Sequence, residues 1–155
     1  SVSTFSPDLA TSRGMIVTIL HRLAGSPAVG TSDFTDVPAN QYYSNAVAWA
    51  AANGVVSGYG DGRFGPNDPI TREQMALILQ GYARLEGKDV SARTDLSVYT
   101  DAGTVSNYAL EAMRWARAVG LINGTSDTTL TPRGTATRAQ AAVIFRGFCE
   151  NVVSD

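Results

Sequence analysis

Three arginines in this chain each follow a small hydroxyl residue. The segments are Ser12-Arg13-Gly14-Met15, Thr71-Arg72-Glu73-Gln74 and Thr137-Arg138-Ala139-Gln140. Each opens an amphipathic run. The first turn of a helix carries partial positive charge, so a cation there is mildly unfavourable. A recurring Arg at that position points to an anion that it meets. Helix-start N–H groups bind anions, and a guanidinium adds a charge-assisted fork. The chemistry suggested is capture of a carboxylate or a similar small anion. Asp36 and Asp101 can cap turns or accept hydrogen bonds from sugar hydroxyls. Tyr42 and Tyr108 can stack on a sugar face or sit half-buried in a core. Gly58 and Gly124 open loops whose bare backbone lets a ligand approach closely.

Other chemistries are poorly supplied. His21 is the sole histidine, and on an apolar run it reads as a packed or rim residue. Cys149 is the sole cysteine, which rules out an intrachain disulfide and a thiolate zinc cluster. Gly58-Tyr59-Gly60-Asp61-Gly62-Arg63 lacks the lysine and hydroxyl of a phosphate loop and the acidic spacing of a calcium loop, so it reads as a turn. Glu73 and Glu111 have no counterparts at the equivalent repeat positions and form no paired-carboxylate site. No catalytic residues, metal ligands or cofactors are expected. The net charge of −2 argues against a broad basic surface for nucleic acid. No apolar run reaches membrane-spanning length. An apolar fraction of 44% with 17% charged residues describes a folded chain rather than a disordered one.

The elements that position the arginines form a repeat. Trp49 matches Trp115, Pro66 matches Pro132, Arg72 matches Arg138 and Ile78 matches Ile144, each pair 66 positions apart. Phe34-Thr35-Asp36 matches Tyr99-Thr100-Asp101 with one residue fewer between them. Arg13 matches Arg72, and Phe5-Ser6-Pro7-Asp8 matches Phe64-Gly65-Pro66-Asn67, 59 positions on. Such spacing signals stacked supersecondary units, each too small to bury its own apolar face. The expectation is the back half of one unit at residues 1–27, then full units at 33–87 and 95–150, together one module.

Each unit holds two helices. The first spans about Ser44–Asn53, or Asn107–Val119, and ends on Gly54 or Gly120 as a left-handed cap. Trp49 and Trp115 lie among alanines and read as core. The second helix shows the i, i+3, i+4, i+7 pattern in Met75, Ile78, Leu79 and Tyr82. Ala141, Ile144, Phe145 and Phe148 repeat it, as do Ile16, Ile19, Leu20 and Leu23. Thr71 with Gln74, and Thr137 with Gln140, are capping boxes; Ser12 can cap, but Met15 cannot complete the box. Gly25 to Ser32 and Ala83 to Ser97 read as links. An Arg at the first helical position should add little to its helix, so Arg72→Ala is expected to leave stability nearly unchanged.

Taken together, Phe34-Thr35-Asp36-Val37-Pro38, Ala48-Trp49-Ala50, Asn53-Gly54-Val55-Val56-Ser57-Gly58, Asp61-Gly62-Arg63-Phe64-Gly65-Pro66 and Ile70-Thr71-Arg72-Glu73-Gln74 resemble the S-layer homology family. The resemblance covers nearly the whole chain, with the motifs recurring in order. It implies an all-α, pseudo-threefold, three-pronged module, here with its first repeat truncated. The family tethers exported proteins to secondary cell-wall polysaccharide, commonly one that carries a pyruvate ketal, which is a carboxylate. By resemblance Arg13, Arg72 and Arg138 would contact that anion, and Asp36 and Asp101 would be the family's Asp. The implied location is the bacterial cell surface. The implied partner is an anionic wall glycan, with a second copy as a candidate to complete the truncated repeat and no nucleic acid or membrane insertion. The alternative is a helical-repeat interaction or self-assembly module without glycan binding. Met15, Gln74 and Gln140 replace the family's signature Glu, and Tyr42 and Tyr108 stand where a Trp is common. Gln still caps, and Tyr still stacks.

Overall fold

The computed structural model describes residues 9–153, and the regular elements among them are helices. In order come α1 (Arg13–Leu23), α2 (Ser44–Ala52), α3 (Arg72–Leu85), α4 (Leu110–Ala118) and α5 (Arg138–Phe148). Short 3-10 turns at Ala102–Thr104 and Asn107–Ala109 precede α4, and a π turn at Cys149–Val153 follows α5. Among the described residues there is no strand, only isolated bridges such as Thr71 with Thr135. The match proposed at Phe5 to Asp8 lies outside the described residues.

The helix starts follow from their caps. The Ser12 hydroxyl accepts from Met15 N–H at 3.1 Å. Thr71 with Gln74, and Thr137 with Gln140, form complete capping boxes. α2 lacks a side-chain cap on its first-turn N–H groups. Ser44 instead ties down the entering chain, donating to the Pro38 carbonyl at 2.5 Å and accepting from Gln41 N–H at 2.8 Å. α2 and α4 each end with one cap residue, Asn53 or Val119, followed by a left-handed glycine, Gly54 at φ +74° and Gly120 at φ +80°.

Residues fall into two compact units. Within Ser12–Pro69, α1 packs on α2. Ile16, Val17, Leu20 and Val47 are fully buried, and the His21 ring lies 5.4 Å from that of Trp49. His21 Nε2 is 2.9 Å from the Pro27 carbonyl, so this histidine is packed and hydrogen-bonded. Within the other unit, which runs from Ile70 onward and includes the stretch up to Thr11, α3 packs on α4. Met75, Leu79, Tyr82, Met113 and Trp115 are buried there, and Tyr82 meets Phe148 of α5 at 5.9 Å. Burying each large apolar side chain stabilises by roughly 1.5–3 kcal/mol. Both tryptophans are core, as their setting among alanines implies. The packing unit is out of phase with the sequence repeat, because the back half of one repeat packs on the front half of the next.

Two expectations change. The apolar stripe of α1 is Ile16, Val17 and Leu20, while Ile19 and Leu23 are 42% and 43% exposed. The link after α3 begins later than Ala83, because α3 continues to Leu85 and Ala83 is buried.

Candidate functional site

The arginines at the starts of α1 and α3 are not surface residues. Arg13 is 5% exposed and Arg72 8%. Each is clamped onto the loop that follows the next front-half helix, in the same way. In the Ser12–Pro69 unit, Arg13 N–H donates to the Asp68 carbonyl at 2.9 Å and Gly14 N–H to the Pro66 carbonyl at 2.8 Å. Arg13 Nε donates to the Phe64 carbonyl at 2.9 Å. In the other unit, Arg72 N–H donates to the Gly134 carbonyl at 2.9 Å and Glu73 N–H to the Pro132 carbonyl at 2.8 Å. Arg72 Nε donates to the Leu130 carbonyl at 3.1 Å, and Nη2 to the Asn123 carbonyl. Arg138 N–H bonds the Leu9 carbonyl at 2.9 Å, in register with the other two. The helix-start N–H groups of α1 and α3 are therefore spent on loop carbonyls. The cation offsets its unfavourable place on the helix dipole by binding partial negative charge from the chain itself.

The aspartates hold the same loops from the other side. Both oxygens of Asp36 accept backbone N–H, from Phe64 at 2.9 Å and Gly65 at 2.8 Å. Asp101 accepts from Leu130 and Thr131, each at 2.8 Å. Those two bonds hold the Asp101 carboxyl below the usual carboxylate range, with a smaller contribution from Arg72. The glycines are required by packing. A Cβ on Gly58, which sits at φ +78°, would lie 2.5 Å from a Phe34 ring carbon. A Cβ on Gly124 would collide with the Ser126 carbonyl oxygen and lie 2.7 Å from a Tyr99 ring carbon. At both positions the aromatic that opens the repeat takes the space beside the bare backbone.

The two cradles differ in what surrounds the guanidinium. Arg13 is stacked between rings, its central carbon 4.8 Å from the Tyr59 centroid and 4.6 Å from that of Phe64. Tyr59 donates to Asp68 Oδ2 at 2.7 Å. Burial, and then that bond, push the Tyr59 hydroxyl up to about 12. Arg72 instead faces a cleft of about 300 Å³, whose lining includes Asn123, Gly124, Gln140 and Val143. Burial lowers the Arg72 pKa, while Tyr99 and Asp101 oppose the shift, and a guanidinium keeps its charge regardless. Among the described residues its Nη1 has no hydrogen-bond partner.

Of the residues singled out from sequence, Arg72 and Gly124 line this cleft, and Asp101 secures its loop. Arg138 starts the helix whose next residues, Ala139 and Gln140, form a wall. Arg13, Asp36 and Gly58 surround the other loop. Tyr42 and Tyr108 are 59% and 61% exposed. Tyr42 rests edge-on against Tyr43, and the Tyr108 hydroxyl lies 3.3 Å from Glu73.

Glu73 is the functional residue that sequence reasoning passes over. It is 2% exposed and accepts from Ser106 N–H at 2.9 Å and Ser106 Oγ at 2.6 Å. It thereby caps the front-half helix of the next repeat from a neighbouring helix. An acidic residue in the first turn of α3, with Ser106 just ahead of a helix, was the available signal. Among the described residues no group of three His, Cys, Asp or Glu is placed to hold a metal ion. Among them, too, no helix is long and apolar enough to cross a membrane.

Helical repeats whose helix starts are clamped onto loops by buried arginines define a repeat-built helical module. Residues 33–76 and 98–142 match the S-layer homology domain, and the chain belongs to that family. It is 35% identical over 151 residues to a surface-layer 125 kDa protein of Lysinibacillus sphaericus, covering 96% of this chain and 12% of that protein. It is 30% identical over 151 residues to an amylopullulanase of Thermoanaerobacterium thermosulfurigenes, covering 94% of this chain and 8% of the enzyme. An endoglucanase of Bacillus sp. (strain KSM-635) is 30% identical over 155 residues, 99% of this chain and 16% of the enzyme. The chain thus spans between 8% and 16% of the length of these relatives. Membership places it at the bacterial cell surface.

Proposed function

We propose that this chain is a non-catalytic module that anchors its polypeptide to the cell wall by binding an anionic polysaccharide, with a pyruvate ketal as the recognised group. The observation that carries this reading is the Arg72 cleft. Its floor is a buried guanidinium with one terminal nitrogen left for a ligand. Its walls mix Asn123 and Gln140 with Leu121, Val143 and Ile144. A ketal pyruvate carries a carboxylate and a methyl group on one carbon, and this lining offers a cation for the first and apolar surface for the second. The volume is at the small end of ligand sites, which suits one substituted sugar rather than a long chain segment. The relatives named as enzymes share only a small part of their length with this chain, in keeping with a module joined to many activities.

The test is a pull-down on purified wall polysaccharide before and after removal of the ketal pyruvate. Retention should drop at least about tenfold on depyruvylation, the worth of one charge-assisted contact. Equal retention would falsify carboxylate recognition.

A further inference from the structure

The chain has two Asn-Gly pairs, Asn53-Gly54 and Asn123-Gly124. In such a pair the glycine nitrogen, once deprotonated, can attack the carboxamide carbon of the asparagine, because no Cβ stands in its way. The two pairs are held in opposite states. The Asn53 carboxamide donates to the Trp49 carbonyl at 2.9 Å, and Gly54 N–H donates to the Ala51 carbonyl at 3.4 Å, so both reacting groups are tied down. Asn123 is exposed, and among the described residues neither its carboxamide nor the Gly124 N–H has a hydrogen-bond partner. Arg72 acts on that same peptide unit. Its Nη2 donates to the Asn123 carbonyl, which is conjugated with the Gly124 nitrogen. Removing the Gly124 proton spreads negative charge onto that oxygen, and a hydrogen bond from a guanidinium favours the charged form. A Cβ on Gly124 would collide with the Ser126 carbonyl oxygen, so packing keeps the reactive glycine in place. The matching pair in the other cradle is Ser57-Gly58, which has no carboxamide to lose.

We propose that Asn123-Gly124 is a deamidation site, where the peptide unit held by Arg72 cyclises and reopens to leave a carboxylate in the cleft. Hydroxide takes the Gly124 proton. The nitrogen bonds to Asn123 Cγ and the Cγ–Nδ2 bond breaks, which releases ammonia and closes a succinimide ring. Water then adds to one of the two ring carbonyls. Opening at Cγ gives aspartate. Opening at the former main-chain carbonyl gives isoaspartate, with the chain now running through Cγ. Arg72 polarises the main-chain carbonyl, so isoaspartate is the favoured product. Its free carboxylate is made from the carbonyl that Arg72 already holds. The guanidinium thereby gains an internal anion in the cleft lined by Arg72, Asn123 and Gly124. That anion competes with the carboxylate of a wall glycan, so the modification weakens wall binding as the chain ages. This consequence rests on the cleft being the glycan site, whereas the modification does not.

The test incubates the folded chain at mildly alkaline pH, beside the same chain in urea, and follows both pairs by mass spectrometry of tryptic peptides. In the folded chain Asn123 should convert about tenfold or more faster than Asn53, the worth of one charge-assisted hydrogen bond. In urea the two rates should converge, and the isoaspartate share at position 123 should fall. Asn123→Ser, which installs the residue of the other cradle, should remove most of the acidic form seen by isoelectric focusing. Equal rates at the two pairs in the folded chain overturn the proposal. So does a rate ratio that urea leaves unchanged, which would assign the difference to neighbouring sequence alone. Retention of the aged chain on wall polysaccharide reads the consequence separately and should fall about tenfold with conversion. Conversion at Asn123 with full wall retention supports the modification and overturns the cleft reading.

Discussion

The cradles of Arg13 and Arg72 share a frame and differ in their filling. In each, a buried Arg binds a loop carbonyl, two helix-start N–H groups bind two more, and an Asp holds the loop by a pair of backbone N–H groups. Around Arg13 the adjoining residues are Tyr59 and Phe64, and their rings cover the guanidinium. At the matching positions around Arg72 stand Thr125 and Leu130. Thr125 turns to Thr129 and Thr131 at 2.9 and 2.6 Å. The shared frame shows that the recurring Arg is first a clamp that staples consecutive repeats. The difference shows that ligand access is set by the residues around the clamp.

Removing the clamps is the strongest way to break the comparison. Arg72→Ala orphans the carbonyls of Asn123 and Leu130 and leaves a hole, which should cost about 2–4 kcal/mol. Arg13→Ala should cost somewhat more, since two ring contacts at roughly 0.5–2 kcal/mol each go with the hydrogen bond. Urea unfolding of both variants measures this. A loss below about 0.5 kcal/mol at either site would restore the expectation that an Arg at the first helical position adds little to its helix.

The next test changes the residue after each Arg. Gly14 and Glu73 are equivalent in sequence and opposite in role. A Cβ on Gly14 would meet the Pro66 carbonyl oxygen at 2.8 Å, so Gly14→Ala should destabilise by about 1–3 kcal/mol through overpacking. Glu73→Ala should lose a similar amount, about 1–3 kcal/mol, by leaving Ser106 N–H and Oγ without their acceptor. Glu73→Gln separates the two effects, because it keeps the volume and one acceptor. It should recover part of the loss in thermal melts, and no recovery would show that packing rather than the cap holds Ser106.

How much of this was readable in the chain depends on how local each cause is. The caps at Ser12, Thr71 and Thr137 and the left-handed ends at Gly54 and Gly120 are decided within a few residues, and all stand where the sequence puts them. The tryptophan cores followed from their alanine surroundings. The stripe of α1 did not, because Ile19 and Leu23 are apolar residues that no neighbour covers, and periodicity cannot report what is missing. The burial of Arg13 and Arg72 was out of reach for the same reason. It depends on carbonyls 51 and 58 positions away. Glu73 holds Ser106 at a helix start 33 positions on, and its place in the first turn of α3 signals an acidic residue without naming that distant partner.

The pH response should distinguish the cradles more gently. Tyr59 is raised above its unfolded value of 10.0 to about 12, so the folded state holds the proton longer. Its contribution is complete below pH about 10 and is lost as pH rises through about 12. Thr125 at the matching position does not titrate. Tyr59→Phe should therefore flatten the alkaline fall in stability between those pH values, read from urea midpoints. An unchanged fall would assign it to other groups. Asp101 works in the opposite sense, contributing above the ordinary carboxylate pKa and losing that contribution as pH falls.

The smallest effect on stability should be the most informative about access. Val143 is 71% exposed on the rim of the Arg72 cleft and bonds nothing. Val143→Glu places a carboxylate where the glycan's own would enter, beside the guanidinium it would use. Stability should stay within about 0.5 kcal/mol of the parent, as for surface substitutions generally. Wall retention should fall about tenfold, and added salt should narrow the gap by screening the new charge. The Arg13 cradle supplies the control: Asp61→Asn, on an exposed loop where Asp61 pairs with Arg63, should leave retention unchanged. If Asp61→Asn lowers retention and Val143→Glu does not, the stacked arginine rather than the open one meets the ligand. The covering rings would then be its platform instead of its lid.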